Sequence, residues 1–297
     1  MDESTGPAIE PLFEVLREGG LVPYLGPGML QLATGDPVPA DPHSLAAVIT
    51  SRTAVPHKIR NRLTQAAQFI ENFKHRKTLG SLMRAAFDPV PTPGLLHRTL
   101  AGLPLPLLVD TWYDDTMQSA LRVARPAGDW GEIQGLSQAE HFGRWTGAFD
   151  ARGEALASPE PAWRTILYRP LGGCRPGGNF LVSDSDFVEV LTEIDIQTPI
   201  PREVQEIRGG RHFLFLGCRF HDQLTRSFAR QIIKRSKPPH WAVLPQEPTR
   251  MEARFLEENG IVRIAMTLSS FAELFCDREQ LRGLHGDAPD ELALERG

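Results

Sequence analysis

From residue 212 onward the chain alternates short apolar runs with helical periodicity. "HFLFLG" is followed by "DQLTRSFARQIIKRS", "HWAVLP" by "RMEARFLEENG", and "IVRIAM" by "SSFAELF". A strand leading repeatedly into a helix of this length admits few solutions, and the commonest is a doubly wound parallel sheet with helices on both faces. Similar apolar runs occur earlier, at residues 21–25 and 105–109, with a further strand candidate at 163–168. The expected architecture is therefore α/β and Rossmann-like. Strands near 21–25, 105–110, 212–216, 240–244 and 261–266 should lie in one parallel sheet.

The remaining segments decorate this frame. Ile9, Leu12, Phe13 and Leu16 have helical spacing and are stopped by Gly19 and Gly20. Residues 31–56 are rich in Pro and read as a long loop with one helix from Ser44. A helix starting at Pro56 is expected from Ile59, Leu63, Ala66, Ile70 and Phe73, and a second over 78–87. Together they make a helical insertion over about residues 41–100. Residues 122–162 are polar, Gly-rich and Trp-bearing, which predicts irregular structure, and 179–194 reads as a short strand and a capped helix. One domain over 1–283 with a poorly ordered tail at 284–297 is the expected organisation.

The 297 residues are 41% hydrophobic and 23% charged, enough for a sizeable core. The net charge of -5 argues against a generic nucleic-acid binder. No apolar run approaches the roughly 18 residues of a membrane span. Cys174, Cys218 and Cys276 are too scattered for a disulfide framework and contain no CxxC pair, which points to a reducing cytoplasm and no zinc ribbon.

In an open parallel sheet, ligands sit beyond the carboxyl ends of the strands. Three stretches occupy such positions: Gly26-Pro27-Gly28-Met29, Asp110 to Asp115, and Gly217-Cys218-Arg219-Phe220. Glycine lets backbone approach a phosphate, free amides at a helix start favour anions, and Arg219 adds a charge. Each stretch is equally readable as a tight turn. The first lacks the third glycine of the dinucleotide fingerprint.

The order of these motifs carries a family resemblance. The strand-GxG opening, "TWYDD" after a strand, "PLGG" before "NFLVSDSDF", and "FLFLGCRFHDQLTRSFARQI" resemble sirtuin-like NAD-binding domains of the bacterial, non-deacetylase branch. The resemblance covers most of residues 9–275. It implies NAD or an ADP-ribose-like nucleotide as cofactor, with the pyrophosphate at Gly26–Met29 and further contacts from Thr111, Asp114 and the Gly217–Arg219 loop. It also implies that two catalytic positions are degenerate. Trp112 stands where the branch has a catalytic Asn, and Leu171, before Gly172, stands where it has His. An indole accepts no hydrogen bond of note and leucine neither donates nor accepts. Asp114 is retained. The implied function is nucleotide binding with weak or absent cleavage of the nicotinamide–ribose bond. The alternative is a regulatory or scaffold protein whose pocket is empty or repurposed. A protein partner or a homo-oligomer remains open.

Other candidates read more simply as surface. Lys58, Arg60, Arg62, Lys74, Arg76 and Lys77 oppose one acid, Glu71, on a stretch that reads first as a solvated helix face, the alternative being a surface for nucleic acid or an acidic partner. Arg226, Arg230, Lys234 and Arg235 read the same way. His141 and His221 are substitute bases at most, and Asp184 and Asp186 suit the start of a helix.

Overall fold

The computed structural model describes residues 6–193 and 200–286. In chain order, α1 (Gly6–Arg17) leads to β1 (Leu21–Leu25), a 3-10 turn (Pro27–Leu32), α2 (Pro42–Ser51), α3 (Leu63–Lys74), α4 (Arg76–Ala86) and α5 (Leu95–Gly102). There follow β2 (Leu107–Asp110), α6 (Thr116–Ala124), β3 (Trp130–Gly135), β4 (Thr146–Asp150), β5 (Ala155–Leu156) and β6 (Thr165–Arg169). A small hairpin, β7 (Gly172–Gly173) with β8 (Asn179–Phe180), precedes α7 (Asp184–Glu193) and α8 (Arg202–Arg208). The last stretch is β9 (His212–Leu216), α9 (Gln223–Ile232), β10 (His240–Val243), α10 (Arg250–Glu258), β11 (Ile261–Ile264) and α11 (Leu268–Gly286).

Among the described residues, nine strands form one sheet in the order β11-β10-β9-β1-β2-β6-β3-β4-β5. Every pairing from β11 to β3 is parallel, and β4 and β5 extend the edge antiparallel. The five expected strands are all present in the parallel part.

Strand residues alternate between two cores, as a two-sided sheet requires. Val22, Tyr24, Leu107, Val109, Ile166, Tyr168, Phe213 and Phe215 face one core, which α2–α4 and α7–α10 complete with Ile49, Ile70, Met83, Val204 and Phe228. Leu21, Leu25, Leu108, Leu167, Leu214 and Leu216 face the other, closed by α1, α5, α6 and α11 through Phe13, Leu100, Leu121, Phe271 and Phe275.

Two local expectations need correction. Residues 122–162 are not irregular: β3, β4 and β5 lie there, and β3 is fully buried beside β6. Helix α3 starts at Leu63 and not near Pro56. Residues 56–62 form isolated turns, with the Ile59 and Arg60 amides bonding the Pro56 carbonyl, and Arg62 is extended at φ -113 and ψ 101. The single helix expected from Ser44 within residues 31–56 is present as α2, which begins two residues earlier at Pro42 behind a capping box built by Asp41 and Ser44. The expected tail from 284 lies outside the described residues beyond Gly286, and residues 284–286 continue α11.

Candidate functional site

The chain leaves β1 in one direction to build β2, β6 and β3, and in the other to build β9, β10 and β11. The sheet therefore reverses its winding at the β9–β1 pair, the position where open α/β sheets form a crevice beyond their strand ends. The Gly26–Met29 loop follows β1, the Thr111–Asp115 loop follows β2, and the Gly217–Phe220 loop follows β9. Sequence placed these three loops on one sheet, and the fold puts them side by side.

What the loops do there is less open than their composition implies. The amides of Gly26 and Gly28 donate to the carbonyls of Leu216 and Gly217 at 2.8 and 2.9 Å, and the Met29 amide donates to Gly26 at 3.1 Å. Three of the donors expected to hold a phosphate are thus already paired, two of them across to the end of β9 and its loop. A Cβ at Gly26 would meet the Gly217 carbonyl oxygen at 2.6 Å, and one at Gly28 would meet it at 2.8 Å. Gly217 itself has φ +66, a left-handed conformation that favours glycine. These glycines are required by backbone packed on backbone. The neighbouring Cys218 is buried, with Sγ 3.4 Å from the Tyr24 carbonyl, and burial pushes its thiol well above the usual range.

The third loop has an internal anion beside it. Glu252, at the start of α10, lies next to Arg219 and the Phe220 backbone. Burial pushes its carboxyl up. Bonds from the Thr249 amide and hydroxyl, together with the Arg219 charge, outweigh that and hold it below the usual range. Arg219 is exposed, and Pro27, Gly28 and Gly217 are half-buried, so the rim of the crevice is open. Asp222 caps α9 by accepting from the Thr225 amide at 2.8 Å. His221 stands on the surface, 3.7 Å from Asp222.

The inner end of the crevice is filled by aromatic rings. Trp112 is 4% exposed, and its Nε1 donates to the Pro39 carbonyl at 2.7 Å. Its ring packs against Phe87 at 6.1 Å and Tyr113 at 5.0 Å. The Tyr113 hydroxyl donates to the Leu181 carbonyl at 2.7 Å. The stretch ahead of α2 and the end of α4 thereby close over the β2 loop. Leu171 is buried as well, and Cys174 in the same segment donates its amide to the Tyr113 carbonyl at 3.0 Å. The two positions where the resemblance expects Asn and His therefore lie on neighbouring loops, after β2 and β6, and both carry packed apolar side chains. Thr111 is tied to the Leu25 carbonyl through its hydroxyl at 2.8 Å, and Asp114 accepts from the Thr116 amide at 3.0 Å to start α6.

Sequence reasoning missed the largest polar feature at this end of the sheet. Arg169, the last residue of β6, is wholly buried. Its guanidinium lies 3.1 Å from both Asp115 and Glu132 and donates to the Asp114 carbonyl at 2.6 Å. Arg175 adds a second bond to Asp115 at 2.7 Å, and Gln118 donates to Glu132 at 2.6 Å. Burial raises the Glu132 carboxyl despite Arg169, and burial with the nearby Asp114 raises Asp110 strongly. All six residues of "WGEIQG" are buried, and two of them, Glu132 and Gln134, are polar. A second hub sits at Asp186, whose carboxylate accepts from the Ser137 hydroxyl at 2.6 Å and the Ser183 amide at 3.0 Å and pairs with Arg76 at 2.8 Å. Burial opposes ionisation there, and the Arg76 charge and these bonds lower the carboxyl below its usual range. Asp186 thus serves the start of α7, as expected of an acid in that place. His141 lies in the β3–β4 connection and not in any of the three loops.

The family model of SIR2-like domains matches residues 106–264. The chain belongs to the SIR2-like domain family. The matched span runs from just before β2 to the end of β11. β1, its Gly26–Met29 loop and α2–α5 precede it. Members of this family generally bind NAD, and the mostly parallel α/β sheet is the fold expected of them. A search of curated proteins found no match. No helix among the described residues is long and apolar enough to cross a membrane.

NAD fits this site only in part. Arg219 is exposed beside the half-buried Gly28 and Gly217, a rim that would suit a phosphate, whereas Trp112 packs against Phe87 and Tyr113.

Proposed function

We propose that this SIR2-like protein binds NAD or an ADP-ribosyl nucleotide at the rim of the β9–β1 crevice and does not cleave the nicotinamide–ribose bond. The observation that carries the reading is the sheet reversal at β9–β1, with the Gly26, Thr111 and Gly217 loops adjacent at one strand end. Arg219 supplies a charge to the phosphates, and the rims of the Gly26 and Gly217 loops allow close approach. Cleavage requires a side chain that orients or deprotonates the attacking group, and such groups contribute about 10² to 10⁴ in rate. Trp112 and Leu171 offer neither function. The indole instead fills the inner end and bonds Pro39.

Arg219 lies outside both cores, so it can be changed without disturbing them. Arg219→Glu should weaken ADP-ribose binding at least tenfold, about 1.4 kcal/mol, in a calorimetric titration. Equal affinity in a folded variant would remove this rim from the site.

One observation favours a second reading, a regulatory or scaffold protein with a repurposed crevice. The Gly26, Gly28 and Met29 amides are already paired, and Glu252 already stands beside the third loop. On that reading neither ADP-ribose nor NAD binds at millimolar concentration.

A further inference from the structure

The net charge of -5 conceals a strong segregation. The chain has 32 Lys and Arg against 37 Asp and Glu; residues 42–87 hold eight of the basic residues and only one of the acidic, Glu71. The α2–α4 module is therefore cationic, and the rest of the chain, with 24 basic against 36 acidic residues, is anionic.

Within the module only Arg76 is neutralised, by Asp186, Glu71 and Glu140. Arg52, Lys58, Arg60, Arg62, Lys74, Lys77 and Arg84 are exposed and form no ion pair among the described residues. They are not evenly spread. The end of α2 and the junction of α3 with α4 enclose an open depression lined by Arg52, Thr53, Phe73, Lys74, His75 and Thr78. From Ala54 the chain returns to the start of α3 through Lys58, Arg60 and Arg62. The cations therefore bracket a helix of 12 residues, about 18 Å at 1.5 Å per residue.

Phe73 supplies the second feature. It is 66% exposed at the edge of the depression, and its ring rests on Phe69 at 4.5 Å. A large aromatic ring held outward by a second ring, with unpaired cations beside it, matches the chemistry of single-stranded nucleic acid. Such strands are held by a basic track along the phosphates and by bases stacked on aromatic faces. A purely electrostatic partner, such as an acidic peptide, has no use for the ring.

We infer that the α2–α4 surface, with Phe73 as the stacking platform and Arg52 and Lys74 beside it, binds a short stretch of single-stranded nucleic acid. None of these residues is one proposed to hold the nucleotide, so the inference stands apart from that reading.

The test uses the full chain and a fluorescein-labelled oligothymidylate of 15 nucleotides, followed by anisotropy at several salt concentrations. Binding should weaken with salt along a log–log slope of about -2 to -3, corresponding to three or four phosphates on a single strand. Phe73→Ala should reduce affinity about tenfold, in line with loss of one stacked base. Arg52→Glu with Lys74→Glu should abolish binding with the far-ultraviolet spectrum unchanged. Inorganic polyphosphate should compete, but its own binding should not respond to Phe73→Ala. No binding at low salt would overturn the inference. So would binding that is insensitive to Phe73→Ala, which marks a polyanion surface without base stacking.

Discussion

At the residue scale, the glycines of the crevice illustrate how one side-chain absence serves either of two ends. Sequence alone reads Gly26 and Gly28 as room for a phosphate. The structure puts the Gly217 carbonyl where their Cβ atoms would be. Gly28→Ala should therefore destabilise the protein with no ligand present, by about 1–3 kcal/mol, because the obstructing atom is rigid backbone. Urea unfolding of the apo protein measures this, and unchanged stability would show that the two loops are not packed as described. Arg169 makes a complementary case. Arg169→Met leaves Glu132 buried without its cation and Asp115 with Arg175 alone, and removing one member of such a pair costs about 3–5 kcal/mol. The same unfolding experiment should show the larger loss.

Elements were legible where burial and apolarity coincide. β1, β2, β6, β9, β10 and β11 are apolar runs, and all were readable to within a few residues. β3 was not, because Glu132 and Gln134 on it are wholly buried yet polar, Glu132 held by Arg169 and Gln118 and the Gln134 amide nitrogen donating to the Arg175 carbonyl. Composition equates such residues with surface, and only the position of Arg169 one strand away places them inside. The candidate loops were legible as strand ends. Their paired amides were not, since the Gly26–Leu216 bond depends on β1 lying next to β9, a contact between residues 190 positions apart. α5 supplies a pH-dependent element. His97 is 2% exposed, and burial, with a lesser contribution from Arg98, depresses its pKa from 6.5 to about 4. The unfolded chain therefore binds the proton first, and stability falls as pH drops from about 6.5 to about 4. At 1.36 kcal/mol per pKa unit the loss approaches about 3 kcal/mol. Asp110 and Glu132, raised by burial, act in the opposite sense. The difference in unfolding free energy between wild type and His97→Gln across this range isolates the imidazole, and parallel pH profiles would contradict its burial as a neutral ring.

At the scale of the whole molecule, three features share one α/β frame: a reversed sheet whose crevice has an open rim, an aromatic filling at the crevice's inner end, and a cationic helical module laid over that end through Pro39 and Phe87. The filling and the rim together define the functional claim of binding without cleavage. A single proton NMR experiment on NAD with the purified protein reads both halves of it. Saturation transferred from the protein should appear on the adenine protons, and the nicotinamide resonances of NAD should remain unchanged over hours. Free nicotinamide accumulating in proportion to protein concentration would contradict binding without cleavage, and so would the absence of saturation transfer to any NAD proton.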